Sequence, residues 1–290
     1  MGFKGFNPGL ICRGKQYAEH TLFEEKDVLP CESGLHFCEN PMDVLSHYPL
    51  IHANGELNEF ATVYSSCKPF NIDGKKFCTS SLYVDKRLTL REFVAEAFKF
   101  YTRDAPRRVG DRAWIASSAY AAQMASVTSC AHVATAANYS CIFASGRFDN
   151  IVAAGDNCSV LSVGADTRIA SSGECAQIVA AGKNTNIVSS GKYARVYSKG
   201  DNARISCNGD GAVIVSRGKA DIISATGRES IVKGRLGSTI TLLEWQYSSK
   251  DDRFVPMYHR TAVIDGKTIK ENIFYTLQDG NFVEVGKDYE

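Results

Sequence analysis

Four residues near the N terminus carry side chains that zinc takes as ligands: Cys12, Cys31, His36 and Cys38. Three of them sit close together as Cys-x4-His-x-Cys, and Cys12 lies upstream. The set lacks the Cys-x2-Cys knuckle, and cysteine and histidine are also common in buried strands. No metal is therefore the expectation, with this set as its alternative. A cysteine nucleophile would need a histidine base beside it. His20, His36 and His47 are available, and no spacing selects one. The chain shows no phosphate loop, no paired carboxylates at catalytic spacing and no nucleophile elbow, so no cofactor is expected.

A second constellation shares some of these residues. Arg13-Gly14 comes early, Gly34-Leu35-His36-Phe37 leads toward a helix, and Tyr48 stands at that helix's end. This arrangement resembles the ADP-ribosyltransferase-like folds, in which an Arg-Gly ends an early strand and a Gly-aliphatic-aromatic-Phe run precedes a helix ending in Tyr. The resemblance implies Arg13, His36 and Tyr48 as site residues. The family's later catalytic glutamate is not assignable among Glu56, Glu59 and Glu92. Residues 2–48 as a whole resemble an uncharacterised module of phage and prophage proteins. The carriers are Lys4-Gly5-Phe6, Cys12-Arg13-Gly14 and the run from Cys31-Glu32-Ser33-Gly34 to Pro41. In that group the module precedes short-period repeats and a closing Leu-Glu-Trp segment, matched here by Leu242-Leu243-Glu244-Trp245. The resemblance implies a phage origin and the bacterial host cytoplasm.

The elements that must position these residues are legible in part. Leu35 and Phe37 alternate with polar neighbours as a short strand. Pro41 suits the first turn of a helix through Met42, Val44, Leu45 and Tyr48. Phe60, Thr62 and Tyr64 read as the next strand, giving an α/β module over residues 1–68. Residues 69–110 then hold a strand over Phe77–Leu88, a helix and a linker. Thr89-Leu90-Arg91-Glu92 is a capping box, and Phe93, Val94, Ala97, Phe98 and Tyr101 recur at helical spacing. That helix is expected to cover an open edge of the next domain.

The next domain announces itself by ten glycines, each nine residues after the last, from Gly146 to Gly227. A fixed short period means one small unit stacked on itself. Four residues before each glycine stands an aliphatic side chain, as in Ile142, Ile151, Val160 and Ile169. Two before it stands a small one, as in Ala144, Ala153, Ser162 and Ser171, and the sixth before it is usually small too. Alternate positions of shared character mark a strand. The glycine then reads as a turn residue free to take positive φ. Ile115, Met124 and Val133 extend the ladder upstream of the first glycine.

Outward positions add a second period of eighteen. One face carries Phe143, Leu161, Val179, Tyr197 and Val215; the other carries Asn150, Arg168, Asn186 and Arg204. Two units per turn explain the alternation. The expected architecture is mainly β: a parallel β-solenoid of nine-residue units over residues 111–237, two per turn and about seven turns. An N-terminal α/β module precedes it, and a small C-terminal antiparallel β cap follows over residues 238–290, with Asp265-Gly266 and Asp279-Gly280 as turns. The repeats resemble those in the heads of trimeric autotransporter adhesins. Calcium is not expected, because each turn lacks the paired glycines and aspartate of calcium-binding nonapeptide rolls.

The apolar face is expected to be a contact surface, covered either by the N- or C-terminal domain folding back or by solenoids packing side by side in a homo-oligomer. A net charge of +1 argues against a nucleic-acid binder. No run of apolar residues is long enough to span a membrane, and Met1–Gly9 has no charged-then-apolar leader, so a cytoplasmic protein with reduced cysteines is expected. The leading functional expectation is a non-enzymatic, oligomeric binding protein that occludes a host protein complex. An ADP-ribosyltransferase-like enzyme with a solenoid targeting arm, and a virion or adhesin component, are the alternatives.

Overall fold

The computed structural model describes residues 1–26, 28, 33–102 and 112–286. The chain forms two compact units, Met1–His52 with Glu56–Arg108, and Ala53–Gly55 with Val109–Glu290.

In the first unit the strands are β1 (Gly2–Phe6), β2 (Ile11–Cys12), β3 (Lys15–Gln16), β4 (Thr21–Glu24), β5 (Leu35–Cys38), β6 (Glu59–Ser65), β7 (Phe70–Asn71), β8 (Lys76–Thr79) and β9 (Ser81–Leu88). A 3-10 turn, Pro41–Ser46, follows β5, and α1 (Leu90–Thr102) follows β9. Seven strands form one antiparallel sheet in the order β4-β9-β6-β1-β5-β8-β7. Because β9 pairs between β4 and β6, residues 1–68 are not a module of their own. The strand expected over Phe77–Leu88 is two, broken at Ser80. The helix expected from Pro41 is a 3-10 turn, capped by Asn40, whose Oδ1 accepts the Met42 amide at 3.1 Å.

The capping box at the start of α1 closes in both directions. Glu92 N donates to Thr89 Oγ1 at 3.2 Å, and Thr89 N donates to Glu92 Oε2 at 2.8 Å. Phe93, Val94 and Ala97 are fully buried, and α1 packs on the 3-10 turn and β9, with Phe93 stacked on Phe60 at 4.3 Å. The helix therefore spends its apolar stripe on the first unit's core.

The second unit is a parallel β-solenoid followed by antiparallel strands. Its strands run from β10 (Trp114–Ser117) to β23 (Ile231–Lys233), and all but the last two pair in parallel with the strand eighteen residues on, as in Ile142 with Val160 and Ile151 with Ile169. Even-numbered and odd-numbered strands form two separate sheets, so two nine-residue units make one turn, and the stack has about seven turns. The aliphatic rung residues are buried between the sheets, together with the small residues two before each glycine. β24 (Thr239–Ser248) extends one sheet in parallel, then pairs antiparallel with β25 (Arg253–Val263). β26 (Phe274–Gln278) and β27 (Asn281–Glu284) extend the other sheet.

The repeat glycines do not serve the turn by taking positive φ, as expected. That conformation falls two residues later, on Asn157, Asp166, Asn184 and Asn202, and on Tyr139, Phe148 and Tyr193 as well. Each such residue lends its amide to a neighbouring turn, as in Asn157 N to Glu174 O at 2.8 Å and Tyr193 N to Asp210 O at 2.7 Å. Glycine is required for another reason. A Cβ there would stand 1.6–2.1 Å from a carbonyl oxygen of the previous turn, so only glycine lets successive turns stack at strand spacing.

The two outward faces of the solenoid differ in exposure. Phe143, Leu161, Val179, Tyr197 and Val215 are buried. An apolar ladder that long is costly to leave in water, at roughly 25 cal/mol per Å². The other sheet does face solvent: Arg168 and Arg204 are exposed and Asn150 and Asn186 half-buried, with Val152 and Val188 exposed between them. Two acidic residues sit inside. Asp149 and Asp221 occupy the small inward slot six before their glycines, four turns apart. Their Oδ1 atoms accept the Ala131 and Ala203 amides at 2.9 and 2.8 Å.

Candidate functional site: a cationic cavity in the first unit

β2 and β3 form a hairpin whose two-residue turn is Arg13-Gly14, both at positive φ (49° and 76°), the geometry of a type I′ turn. Glycine is the natural second residue there. The hairpin projects Cys12 and Arg13 toward β1 and β5. Gly5 on β1 allows the chain after the 3-10 turn to approach, since a Cβ at Gly5 would lie 2.5 Å from Tyr48 Cβ. These constraints enclose a cavity of about 530 Å³.

Arg13, His36 and Tyr48 all line this cavity, although they come from the hairpin, from β5 and from the segment after the 3-10 turn. Cys12 and Cys38 line it too. Three residues that sequence reasoning passed over complete its character: Lys15, Lys76 and Tyr17. Lys4 joins them from β1. It was noted as part of a motif but given no role, and nothing in its local sequence signals burial. Four basic side chains, Lys4, Arg13, Lys15 and Lys76, face one carboxylate, Glu25. Burial would raise the Glu25 carboxyl. The ion pair with Lys15 at 3.0 Å and the Gly34 amide outweigh it and hold the group below its usual range. The cavity is therefore net positive, and aromatic rings line it beside the charges.

Individual groups bear the imprint of this setting. The Lys4 ammonium is almost wholly buried. It donates to His36 O at 2.9 Å and lies 5.6 and 5.4 Å from the Phe6 and Tyr17 ring centres. Desolvation pushes its pKa down, against the pull of the neighbouring Cys12. His36 is held down to about 4, first by burial and then by Lys76, Lys4 and Arg13, so its imidazole is neutral at neutral pH. Its Nε2 is buried and has no hydrogen-bond partner among the described residues. Burial pushes Cys38 up to about 12, with Asp43 and Asp73 adding to the rise. Tyr48 Oη donates to Cys12 Sγ at 2.9 Å, and both Tyr48 and Tyr17 are raised, chiefly by desolvation.

Of the four residues weighed as zinc ligands, Cys12, His36 and Cys38 line this cavity. Among the described residues no three His, Cys, Asp or Glu side chains converge as a metal site, and Cys31 lies outside the described residues. The cations around His36 would repel a metal ion. None of the glutamates weighed for transferase chemistry lines the cavity. Glu59 accepts the Leu10 amide at 2.7 Å and pairs with Arg87 at 2.9 Å, and Glu92 belongs to the capping box and pairs with Lys86. No disulfide forms among the described residues. No helix among them is long and apolar enough to cross a membrane.

Residues 1–96 match a family described as a domain of unknown function (DUF7666). Every residue lining the cavity falls inside that match, and the solenoid falls outside it. No curated protein and no solved structure matches the chain.

Proposed function

We propose that this protein is a non-enzymatic binding protein whose first unit holds a small anionic, ring-bearing ligand such as a nucleotide, with the solenoid as a stiff scaffold. The observation that carries the reading is the convergence of Arg13, His36 and Tyr48 with Lys4 and Lys76 on one cavity of about 530 Å³. That volume lies in the range of small-molecule sites, and Arg13, Lys15 and Lys76 against one paired carboxylate favour an anion. Binding is preferred to group transfer because Glu25, the carboxylate at the cavity, is held in an ion pair with Lys15. The resemblance to ADP-ribosyltransferase-like folds makes NAD the first ligand to try. Calorimetric titration with NAD, ADP and uncharged adenosine tests the reading. The two phosphate-bearing ligands should bind, and Arg13→Gln should weaken them about tenfold, the worth of roughly 1.4 kcal/mol. Affinity indifferent to ligand charge would sink it. Transfer of label from NAD, abolished in Arg13→Ala, would favour the enzyme instead.

A second reading assigns the partner to the solenoid. The flat sheet with Arg168 and Arg204 exposed beside Val152 and Val188 supports it, because a mixed apolar and cationic face suits a protein partner. Phage origin, carried by the resemblance of residues 2–48, would make that partner a host complex in the bacterial cytoplasm. Capture from host lysate that survives Arg13→Gln but fails on Arg168→Glu with Val188→Asp would assign the interaction to this face.

A further inference from the structure

The cavity holds a group that anion binding does not explain. A lysine that only attracts phosphate works best at the rim, in water, where its charge costs nothing. Lys4 instead sits in the middle of the central strand β1, almost wholly buried. The rings of Phe6 and Tyr17 flank its Nζ, which donates to the carbonyl of His36, and the thiol of Cys12 lines the same cavity. Arg13 adds a neighbouring positive charge. Desolvation and a nearby cation are the two settings that turn a lysine from a point charge into a nucleophilic amine. Each unit by which they lower its pKa raises the uncharged fraction about tenfold at neutral pH. The polar groups nearby suit the same chemistry, since Cys12 and Tyr48 line the cavity with Lys4 and Cys12 accepts from Tyr48.

We propose that Lys4 is an imine-forming residue, and that the ligand is an anionic carbonyl compound, such as a phosphorylated aldehyde or a reducing sugar phosphate. The inference rests on the reading of the cavity as an anion site and names the ligand's reactive group. The uncharged amine attacks the carbonyl carbon, forming the C–N bond as the C=O π pair moves to oxygen. A proton passes from nitrogen to that oxygen, with Cys12 and Tyr48 placed to relay it, to give the carbinolamine. The nitrogen lone pair then expels the hydroxyl, which takes up a proton to leave as water, and nitrogen gives up its last proton. The sum is amine plus carbonyl to imine plus water, with no oxidant or reductant. Lys76 and Arg13, also lining the cavity, would hold the anionic group.

The test uses the full chain, pyridoxal phosphate as the anionic aldehyde and borohydride to fix any imine, followed by peptide mass mapping. The expected result is fixation at Lys4 ahead of the exposed Lys26 and Lys75, lost in Lys4→Arg and slowed several-fold in Lys76→Gln. Mapping of the unaltered chain needs no variant to fold. Label on exposed lysines with Lys4 untouched, or Lys4 fixed no faster than Lys75, overturns the inference. Pyridoxine phosphate, which has an alcohol where the aldehyde stands, separates the two readings. If it binds while the aldehyde is not fixed on Lys4, imine formation fails and the anion site stands. If neither compound binds, both readings fall.

Discussion

The two units surround their side chains on opposite principles. In the solenoid every environment recurs each eighteen residues, so a side chain meets its own kind one turn away. Asn184 bonds Asp166 at 3.0 Å, and Ile stacks on Ile. In the first unit no environment recurs, and Lys4, Cys12, His36 and Tyr48 meet once, from four parts of the chain. Repetition makes a stack that is legible from a period and poor in chemistry. An antiparallel sheet of unlike strands makes an asymmetric cavity that no period announces. The contrast assigns chemistry to the first unit and extent to the second.

The sharpest way to break the comparison is to put one methyl group into each unit. Gly164→Ala drives a Cβ to 1.6 Å from Gly146 O and should cost about 4 kcal/mol or more, because backbone must move in both turns. Gly14→Ala meets open space and should cost only about 1–2 kcal/mol, the penalty of its left-handed backbone. Denaturant titration of both variants checks the difference, and equal costs would refute close turn stacking as the reason for glycine.

Protons should move the units in opposite directions. Burial raises the Asp149 carboxyl in the folded chain, so its contribution is full below the unfolded value of 3.8 and is lost as pH rises through the folded one. Asp149→Asn should remove that loss and leave the variant more stable than the parent at neutral pH. His36 is depressed from 6.5 to about 4, so its contribution is present above 6.5 and is lost as pH falls toward 4. His36→Gln should flatten stability across that acid window. Urea midpoints at several pH values read both effects, and shifts of the same sign would contradict the assignment.

The smallest expected effect lies on α1. Thr89→Ala removes one arm of the capping box and should cost about 1 kcal/mol, with ligand binding at the cavity unchanged. A loss of binding would mean that the cavity depends on the helix more than the packing implies.

How much of this was legible differs between the units for a physical reason. The spacing of glycine, aliphatic and small residues carried the solenoid, its two sheets and its eighteen-residue register. The positive-φ residues escaped notice because Asn157, Tyr193 and Phe148 share no chemistry; the backbone bonds of the stack impose that conformation. Asp149 and Asp221 escaped because two exceptions in a column of small residues read as noise. Arg13, His36 and Tyr48 were found through a resemblance, and the cavity brings them together. Lys4 was quoted as a motif residue with no role, and Lys76 was not singled out at all. Both depend on β1 and β8 flanking β5, a neighbourhood set by sheet order.

By itself the sequence determined the repeat, its register, the capping box and the Asp279-Gly280 hairpin turn, because each depends on contacts within one turn or on a strict period. Asp265-Gly266, expected to join strands in the same way, lies instead between β25 and β26 of different sheets. Only the tertiary structure decided which outward face of the solenoid is buried, where α1 packs, and that a lysine on the central strand ends in a cavity with a thiol, a phenol and an imidazole. Those outcomes depend on pairings between segments far apart in the chain. Such pairings are selected by total burial and hydrogen bonding, and no local pattern encodes them.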